Sequence, residues 1–340
     1  MPLLGDILDP IKDDLQRLEE ELNELVNSNL EPLTGSSSYL LNSGGKRLRP
    51  ALVLLSGKLF DYKFEKVKPL AIAVEFVHMA SLVHDDVIDD SRFRRGSEAV
   101  NYKWSNKVAV LSGDLLYTFA ASSLTKLEDS KYLKHLLEAA LEMTRGQANQ
   151  TINGDDYRLS FEEYMKRIRQ KTGLLMGKSC LLGAKATGAR KENQKKMENY
   201  GLNLGLSFQI ADDLKDLIGS KEELGKEPGN DLKEGTLTLP IMIALEESPR
   251  SEILRNLLKK EGPEREELEK GIKIIKGSGA IEESLEYSKK FADKAREALP
   301  VALQNPYAEN ALRVAARFFG GEEVKGRTYL GRGLPVQGST

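Results

Sequence analysis

Two apolar runs with helical period in this chain end in the same acidic pattern. AIAVEFVHMASLV leads into Asp85, Asp86 and Asp89 within LVHDDVIDD, and LNLGLSFQIA leads into Asp212, Asp213 and Asp216 within FQIADDLKD. The period commits both stretches to α-helix, which stacks residue i over i+4 and so aligns Asp85 with Asp89 and Asp212 with Asp216. Carboxylates set where a helix has just been burying its face repel one another and resist desolvation. A strongly cationic group between two such clusters resolves the conflict, and Mg²⁺ carrying a phosphorylated substrate is the natural candidate. One copy alone reads equally as a solvated helix end; two copies, each followed by a basic loop, point to diphosphate chemistry.

The same three-to-four spacing recurs along the chain, while alternation of period two is hard to find. The spacing predicts an all-α fold, a single large helical bundle around a deep central cavity. Helices are expected over roughly 10 to 30, 48 to 60, 66 to 89, 105 to 127, 131 to 153, 161 to 187, 191 to 218, 237 to 247, 251 to 259, 264 to 276, 279 to 298 and 307 to 319. No solenoid repeat or linker interrupts them, so residues 1 to 320 read as one domain and the glycine-rich 321 to 340 as a flexible tail. Three connections carry charge: SGGKRLRP, SRFRRG after the first acidic cluster, and GSKEELGKEPGNDLKEGT after the second. Polar loops as long as the last are more often functional or mobile than idle.

Composition narrows the partners. With 50 basic and 52 acidic residues and a net charge of -2, the chain has no general affinity for nucleic acid or anionic membrane, so phosphate binding must be local. The single cysteine, Cys180, excludes an internal disulfide or multi-cysteine metal site and reads as a small packing residue. A charged N-terminal stretch and no run of about 18 apolar residues predict a cytoplasmic protein without an integral membrane segment.

Basic residues supply what carboxylates cannot. Lys46, Arg47 and Arg49 follow two glycines and flank the start of a helix at Pro50, where backbone N–H groups and cations can converge on a phosphate; a basic helix cap is the plainer reading. Arg94 and Arg95 offer planar forks to diphosphate oxygens, or salt bridges to the nearby aspartates. His78 lies two helical turns before Asp85 and is a candidate phosphate donor; Glu75 three residues earlier gives a Glu-x-x-His pair, but neither His84 nor His135 repeats it, which argues against a di-iron site. His84 reads as a core histidine, and His135 as structural or exposed. A calcium loop fails because Val87 and Gly96 occupy liganding positions, and no Walker-type phosphate loop is present.

The segments GGKRLRP, EFVHMASLVHDDVIDDSRFRRG, LSGDLLY, KTG, FQIADDLKD and GKEPGNDLKEGTLTLP together resemble the all-trans polyprenyl diphosphate synthases, in family order from about residue 10 to 320. HMASLVHDDVIDD with KWSN looks most like the catalytic component of hexaprenyl or heptaprenyl diphosphate synthases. The resemblance implies a Mg²⁺-dependent prenyltransferase that joins isopentenyl diphosphate to an allylic diphosphate. It implies Asp85, Asp89 and Asp212 as metal ligands, supported by Asp86, Asp213 and Asp216. Lys46, Arg49, His78 and Arg95 match positions holding isopentenyl diphosphate; Arg94, Lys171, Thr172, Gln209 and Lys226 match those holding the allylic diphosphate. Lys171, Thr172 and Gln209 are also placed to orient dipoles toward an allylic cation.

Val77, Ala80 and Ser81 lie on the helix before Asp85, about one to two turns toward its start, where a growing tail would descend. Ala80 and Ser81 are small, which with the resemblance predicts a product of about C30 or longer rather than a farnesyl or geranylgeranyl diphosphate. Two positions depart from the family's pattern: Gln147 stands where Glu is usual, and Lys215 where an uncharged residue is usual. Helical terpene cyclases carry a mixed Asn/Ser/Glu second motif, and a noncatalytic regulatory subunit would have lost motif aspartates; this chain keeps all six. The expected assembly is a homodimer or a heterodimer with a small regulatory subunit.

Overall fold

The computed structural model describes residues 4–27, 31–125, 127, 129–153, 159–220, 227–260, 262–300 and 305–321. The described chain is helical almost throughout: α1 (Leu4–Leu8), a 3₁₀ turn (Asp9–Ile11), α2 (Lys12–Val26), α3 (Leu33–Asn42), α4 (Leu48–Lys58) and α5 (Phe64–Ile88) come first. A hairpin of two-residue strands, β1 (Phe93–Arg94) and β2 (Ser97–Glu98), precedes α6 (Val100–Lys103), α7 (Asn106–Thr125) and α8 (Lys131–Asn153). Then come α9 (Phe161–Ile168), α10 (Leu174–Ala186), α11 (Lys191–Ile218) and α12 (Asn230–Lys233). The chain closes with α13 (Leu239–Glu247), α14 (Ser251–Leu258), α15 (Arg265–Lys276), α16 (Ala280–Ala298) and α17 (Pro306–Phe319).

Two apolar clusters fill the interior. The larger gathers α1 to α5, α7, α10 and α17, and the smaller gathers α9 and α13 to α16. Helix α11 belongs to both, giving Tyr200 and Leu204 to the first and Ile210 and Leu214 to the second. Helix α10 packs against both α5 and α11, the two helices that carry the acidic patterns. Its approach to α11 is backbone-close: a Cβ on Gly201 would stand 2.3 Å from the Met176 carbonyl, and one on Gly205 2.7 Å from the Cα of Gly173.

The structure departs from the sequence expectations in four places. Leu33–Asn42 is a helix although its Gly and Ser content disfavours one; Ser36 and Ser37 are fully buried, and Ser36 Oγ meets Ser112 Oγ at 2.6 Å, so small polar residues let α3 approach α7. SRFRRG forms a hairpin instead of a plain loop. The expected helix over 161 to 187 is interrupted by a π turn at Arg169–Gly173, where the Leu174 N–H donates to the Arg169 carbonyl five residues back. The long polar connection contains α12, while its residues 221 to 226, Lys226 among them, and the tail from residue 322 lie outside the described residues.

Two helices, α5 and α7, are long and apolar enough to cross a membrane by length and composition alone. The apolar window of α5 is mostly buried inside the fold, which is how a core helix reads. That of α7 is less than half buried, and Val110 and Leu111 on it are exposed.

Candidate active site

The first acidic pattern ends α5, and its members have different surroundings. Asp86 is buried and accepts from Arg94 Nε at 2.8 Å and from a terminal Arg94 nitrogen. Asp85 is half-buried and Asp89, at the C-cap of α5, is exposed. Burial raises the Asp85 pKa; Lys171 opposes the rise and Asp89 adds to it. Asp85 and Asp89 thus form a strip of negative charge with a cation, Lys171, brought near by the π turn.

The hairpin sets the two arginines apart. Its loop residues Arg95 and Gly96 have φ of 54° and 79°, both left-handed as a two-residue type I′ turn requires. Arg94 turns to Asp86, whereas Arg95 donates to the Gly44 carbonyl in the SGGKRLRP loop. A Cβ on Gly45 would stand 2.7 Å from an Arg95 guanidinium nitrogen and 3.1 Å from one of Arg47, so a side chain there would displace these flexible arginine ends.

A basic group surrounds His78. Burial first, then the charges of Arg49, Arg95, Arg94 and Arg47, hold the imidazole well below its usual 6.5, so it is neutral at pH 7. Arg49 is pushed to about 10, by burial foremost and then by Arg95, against the pull of Glu75. Its Nε is buried with no hydrogen-bond partner among the described residues. Glu75, 3% exposed, is the anion acting on Arg47, Arg49 and Arg95. Arg47 itself is structural: it donates to Glu75 at 3.0 Å, to the Leu41 carbonyl at 2.7 Å and to both oxygens of Glu19. Lys46 is half-buried in the same loop.

A neutral His78 offers a phosphate one N–H and no charge. His78→Gln, which keeps a neutral donor, is expected to leave the KM for a diphosphate bound here within about 3-fold, and His78→Ala to raise it about 5- to 10-fold. Steady-state kinetics check this; equal losses in both variants would contradict it.

On α11 the second pattern divides similarly. Asp212 is exposed, while Asp213 and Asp216 are each 6% exposed. Asp213 Oδ1 accepts from Gln209 Nε2 at 2.9 Å and Oδ2 from the Tyr164 hydroxyl at 2.8 Å. Burial still raises Asp213 to about 6, with the charge of Asp212 adding to the rise. Gln209 Oε1 in turn accepts from Thr172 Oγ1 at 2.7 Å. Asp216 Oδ2 accepts the Asp231 N–H at 2.9 Å, a carboxylate at the start of α12 that ties the polar connection to the motif.

The π turn therefore links the clusters: Lys171 bears on Asp85, and the next residue, Thr172, bonds Gln209. It is fastened from a third side where Gln170 donates to Glu142 at 2.9 Å, in space kept by Gly146. Of the positions where the sequence departs from the family's pattern, Lys215 lies 6.0 Å from the Phe208 ring centroid and Gln147 is half-exposed. His84 packs on α7 with Nε2 3.1 Å from the Val110 carbonyl, and His135 is half-buried beside Glu138. Cys180 is fully buried, with its thiol pushed up to about 12 by burial.

Below the first cluster, Val77 and Ala80 are enclosed in the larger core, at 2% and 0% exposure. Ser81 is half-buried and donates to the His78 carbonyl at 2.8 Å. Sequence reasoning missed Tyr164, Glu142 and the role of Glu75 as counter-ion. Each acts across 20 or more positions of sequence, and no local pattern marks them.

Among the described residues, no three His, Cys, Asp or Glu side chains converge closely enough to hold a metal alone. Asp85, Asp89 and Asp212 suit a hard cation that completes its shell with oxygens of a bound diphosphate.

Comparisons with known proteins agree with this geometry. The heptaprenyl diphosphate synthase component 2 of Geobacillus stearothermophilus is 40% identical over 314 residues, covering 91% of this chain and 96% of that protein. The solved structure of a Caulobacter crescentus CB15 polyprenyl synthase, complexed with calcium and isoprenyl diphosphate, matches with a TM-score of 0.89 at 31% identity, covering 94% and 97% of the two chains. A geranylgeranyl pyrophosphate synthetase of Pyrococcus horikoshii Ot3 matches with a TM-score of 0.85 at 30% identity, covering 93% and 98%. The family model for polyprenyl synthetase matches residues 31–275. The chain belongs to the polyprenyl synthetase family and is an all-α prenyltransferase of the trans-prenyl diphosphate synthase type.

Proposed function

We propose that this enzyme condenses isopentenyl diphosphate with an allylic diphosphate, with Mg²⁺, to make an all-trans polyprenyl diphosphate of about C30 or longer. One observation carries the reading: the cations Arg47, Arg49, Arg94 and Arg95 crowd around His78 on the helix that ends in the carboxylate strip, and burial foremost, with like charges adding to it, shifts Arg49, His78 and Asp85 toward their uncharged forms. A diphosphate supplies counter-charge to the cations and a divalent cation to the carboxylates.

In this reading, Lys46, Arg49, Arg95 and neutral His78 hold isopentenyl diphosphate; Lys171, with Arg94 fixed by Asp86, holds the allylic diphosphate. Asp85, Asp89 and Asp212 would hold Mg²⁺, which when bound would supply positive charge to the departing diphosphate. The allylic C1–O bond breaks, the double bond of isopentenyl diphosphate forms the new C–C bond, and the proton lost from it passes to the released diphosphate. Thr172 and Gln209 present oriented dipoles beside the cation. Lys226 is assigned to the allylic diphosphate by resemblance alone.

Farnesyl diphosphate, isopentenyl diphosphate and Mg²⁺ test this together. Diphosphate release that requires both substrates supports elongation. Release from the allylic substrate alone points to a cyclase, and none, even with candidate partners, points to a regulatory subunit. Product length is read on the same samples. Ser81→Phe, at the accessible edge of the tail path, is expected to shorten the product ladder by at least one isoprene unit. Ala80→Phe should do the same at a further cost of about 1–3 kcal/mol, since Ala80 is fully enclosed. An unchanged ladder in a folded Ser81→Phe variant would sink this tail path.

The two cores share α11, which supports treating residues 1 to 320 as one domain. Exposed Ile88, Phe93, Val110, Leu111, Leu137 and Leu141 fall on the hairpin and on α5, α7 and α8, helices that contact one another, and we read these elements as the seat of a second subunit. Light scattering that finds a lone monomer would remove this reading. A buried, unreactive Cys180 is compatible with a reducing cytoplasm.

A further inference from the structure

We propose that Tyr164, outside the aspartate motifs, is a positioning residue for the prenyl transfer: through Asp213 it fixes which face of the Gln209 amide looks toward Thr172. The inference rests on the function proposed above and extends it to a residue eight positions before Thr172. Four side chains form one relay, buried at Tyr164, Asp213 and Thr172 and half-buried at Gln209, from the Tyr164 hydroxyl to Asp213 Oδ2 (2.8 Å), from Gln209 Nε2 to Asp213 Oδ1 (2.9 Å), and from Thr172 Oγ1 to Gln209 Oε1 (2.7 Å).

The direction of each bond follows from the one before it. A carboxylate only accepts, so Asp213 takes the amide N–H₂ of Gln209, and the carbonyl end is then forced toward Thr172. Thr172 must spend its hydroxyl proton on that carbonyl. The Thr172 hydroxyl and the Gln209 carbonyl are thereby held in one orientation next to Lys171, the cation that bears on Asp85, where an allylic cation of the proposed reaction would meet their oxygens.

Tyr164 is built to hold this arrangement. Its side chain is 0% exposed, and its pKa, raised mainly by burial, keeps the hydroxyl a donor. Its helix, α9, starts in a capping box between Ser160 and Glu163. Phe161 on the same helix packs against Tyr287 of α16, ring centroids 5.1 Å apart. The Arg167 guanidinium lies 5.6 Å from the Tyr164 ring centroid and donates to the Leu237 carbonyl, which closes the remaining side. Without the Tyr164 hydroxyl, Asp213 loses one of its two donors and is freed to swing; a flipped Gln209 would then present its amide hydrogens to the cation.

Tyr164→Phe, Gln209→Ala and the double variant test the relay in the full-length enzyme, with folding followed by circular dichroism. Tyr164→Phe is expected to lower kcat about 10- to 100-fold while leaving the KM for isopentenyl diphosphate within 2-fold, because none of the relay's hydrogen bonds reaches the residues assigned to that site. The double variant should lose no more than Gln209→Ala alone, since both changes break one relay. Multiplying losses, an unchanged kcat, or a matching rise in that KM would overturn the proposal. If Tyr164→Phe does not fold, Thr172→Val removes the donor at the far end and must show the same non-additivity with Gln209→Ala. A second readout does not need turnover: with selective ¹⁵N-glutamine labelling, the Gln209 side-chain signals should shift and exchange faster with water in Tyr164→Phe. Unchanged signals would overturn the relay itself, whereas wild-type enzyme that turns over neither substrate would overturn only the prenyl-transfer reading.

Discussion

Asp85→Asn is expected to lower kcat about 10³-fold at fixed Mg²⁺, with the Mg²⁺ concentration for half-maximal rate rising at least 10-fold. Asp85 is the half-buried member of a carboxylate strip that Asp89 continues, and Lys171 is the one cation whose pull on it ranks above that of Arg94. Taking its charge away removes a ligand and leaves Lys171 over-represented beside the departing diphosphate. Asp86→Asn is the useful contrast: Asp86 spends its carboxylate on Arg94, so its loss should raise the KM of the allylic substrate while the Mg²⁺ dependence stays near that of wild type. Titrating Mg²⁺ against rate for both variants separates the roles. The same dependence in both, or a loss under 10-fold for Asp85→Asn, would contradict the division.

The largest stability loss is expected from Arg47→Ala, about 3 kcal/mol by denaturant unfolding. Arg47 is 8% exposed, sits at a φ of 45°, and joins Glu19 on α2, Glu75 on α5 and the end of α3 to the start of α4. Breaking a buried pair from one side strands the other charge, at about 3–5 kcal/mol. The lower end applies because Arg49 and Arg95 still act on Glu75. Arg47→Lys should recover little, since one ammonium cannot span a fork that reaches three partners. A loss below about 1 kcal/mol would show that the fold does not depend on this ion-pair junction.

Apolar period made most of this fold readable, because long helices with a buried stripe declare themselves locally. Helix α3 did not, since LTGSSSYLLN has little propensity to advertise and its fit shows only in the contact of Ser36 with Ser112 of α7. The six aspartates were readable as chemistry, and the resemblance already set Asp85, Asp89 and Asp212 apart from Asp86, Asp213 and Asp216, but the physical cause of that division was not readable. That Asp86 and Asp213 serve as anchors while Asp85, Asp89 and Asp212 stay open depends on Arg94 and Tyr164 arriving from other elements. The basic motif shows the same limit, with Arg47 structural between Lys46 and Arg49 although all three look alike in sequence.

The hairpin between α5 and α6 places two adjacent arginines in different duties through nothing more than a two-residue turn. A surface loop ordinarily tolerates an added or lost residue, yet here a change of one would hand the Asp86 position to whatever follows and pull Arg95 off the Gly44 carbonyl. Length in this short ribbon therefore acts as a selector switch between two partners, the Asp86 carboxylate and the Gly44 carbonyl, and it should prove far less forgiving of insertion than of substitution.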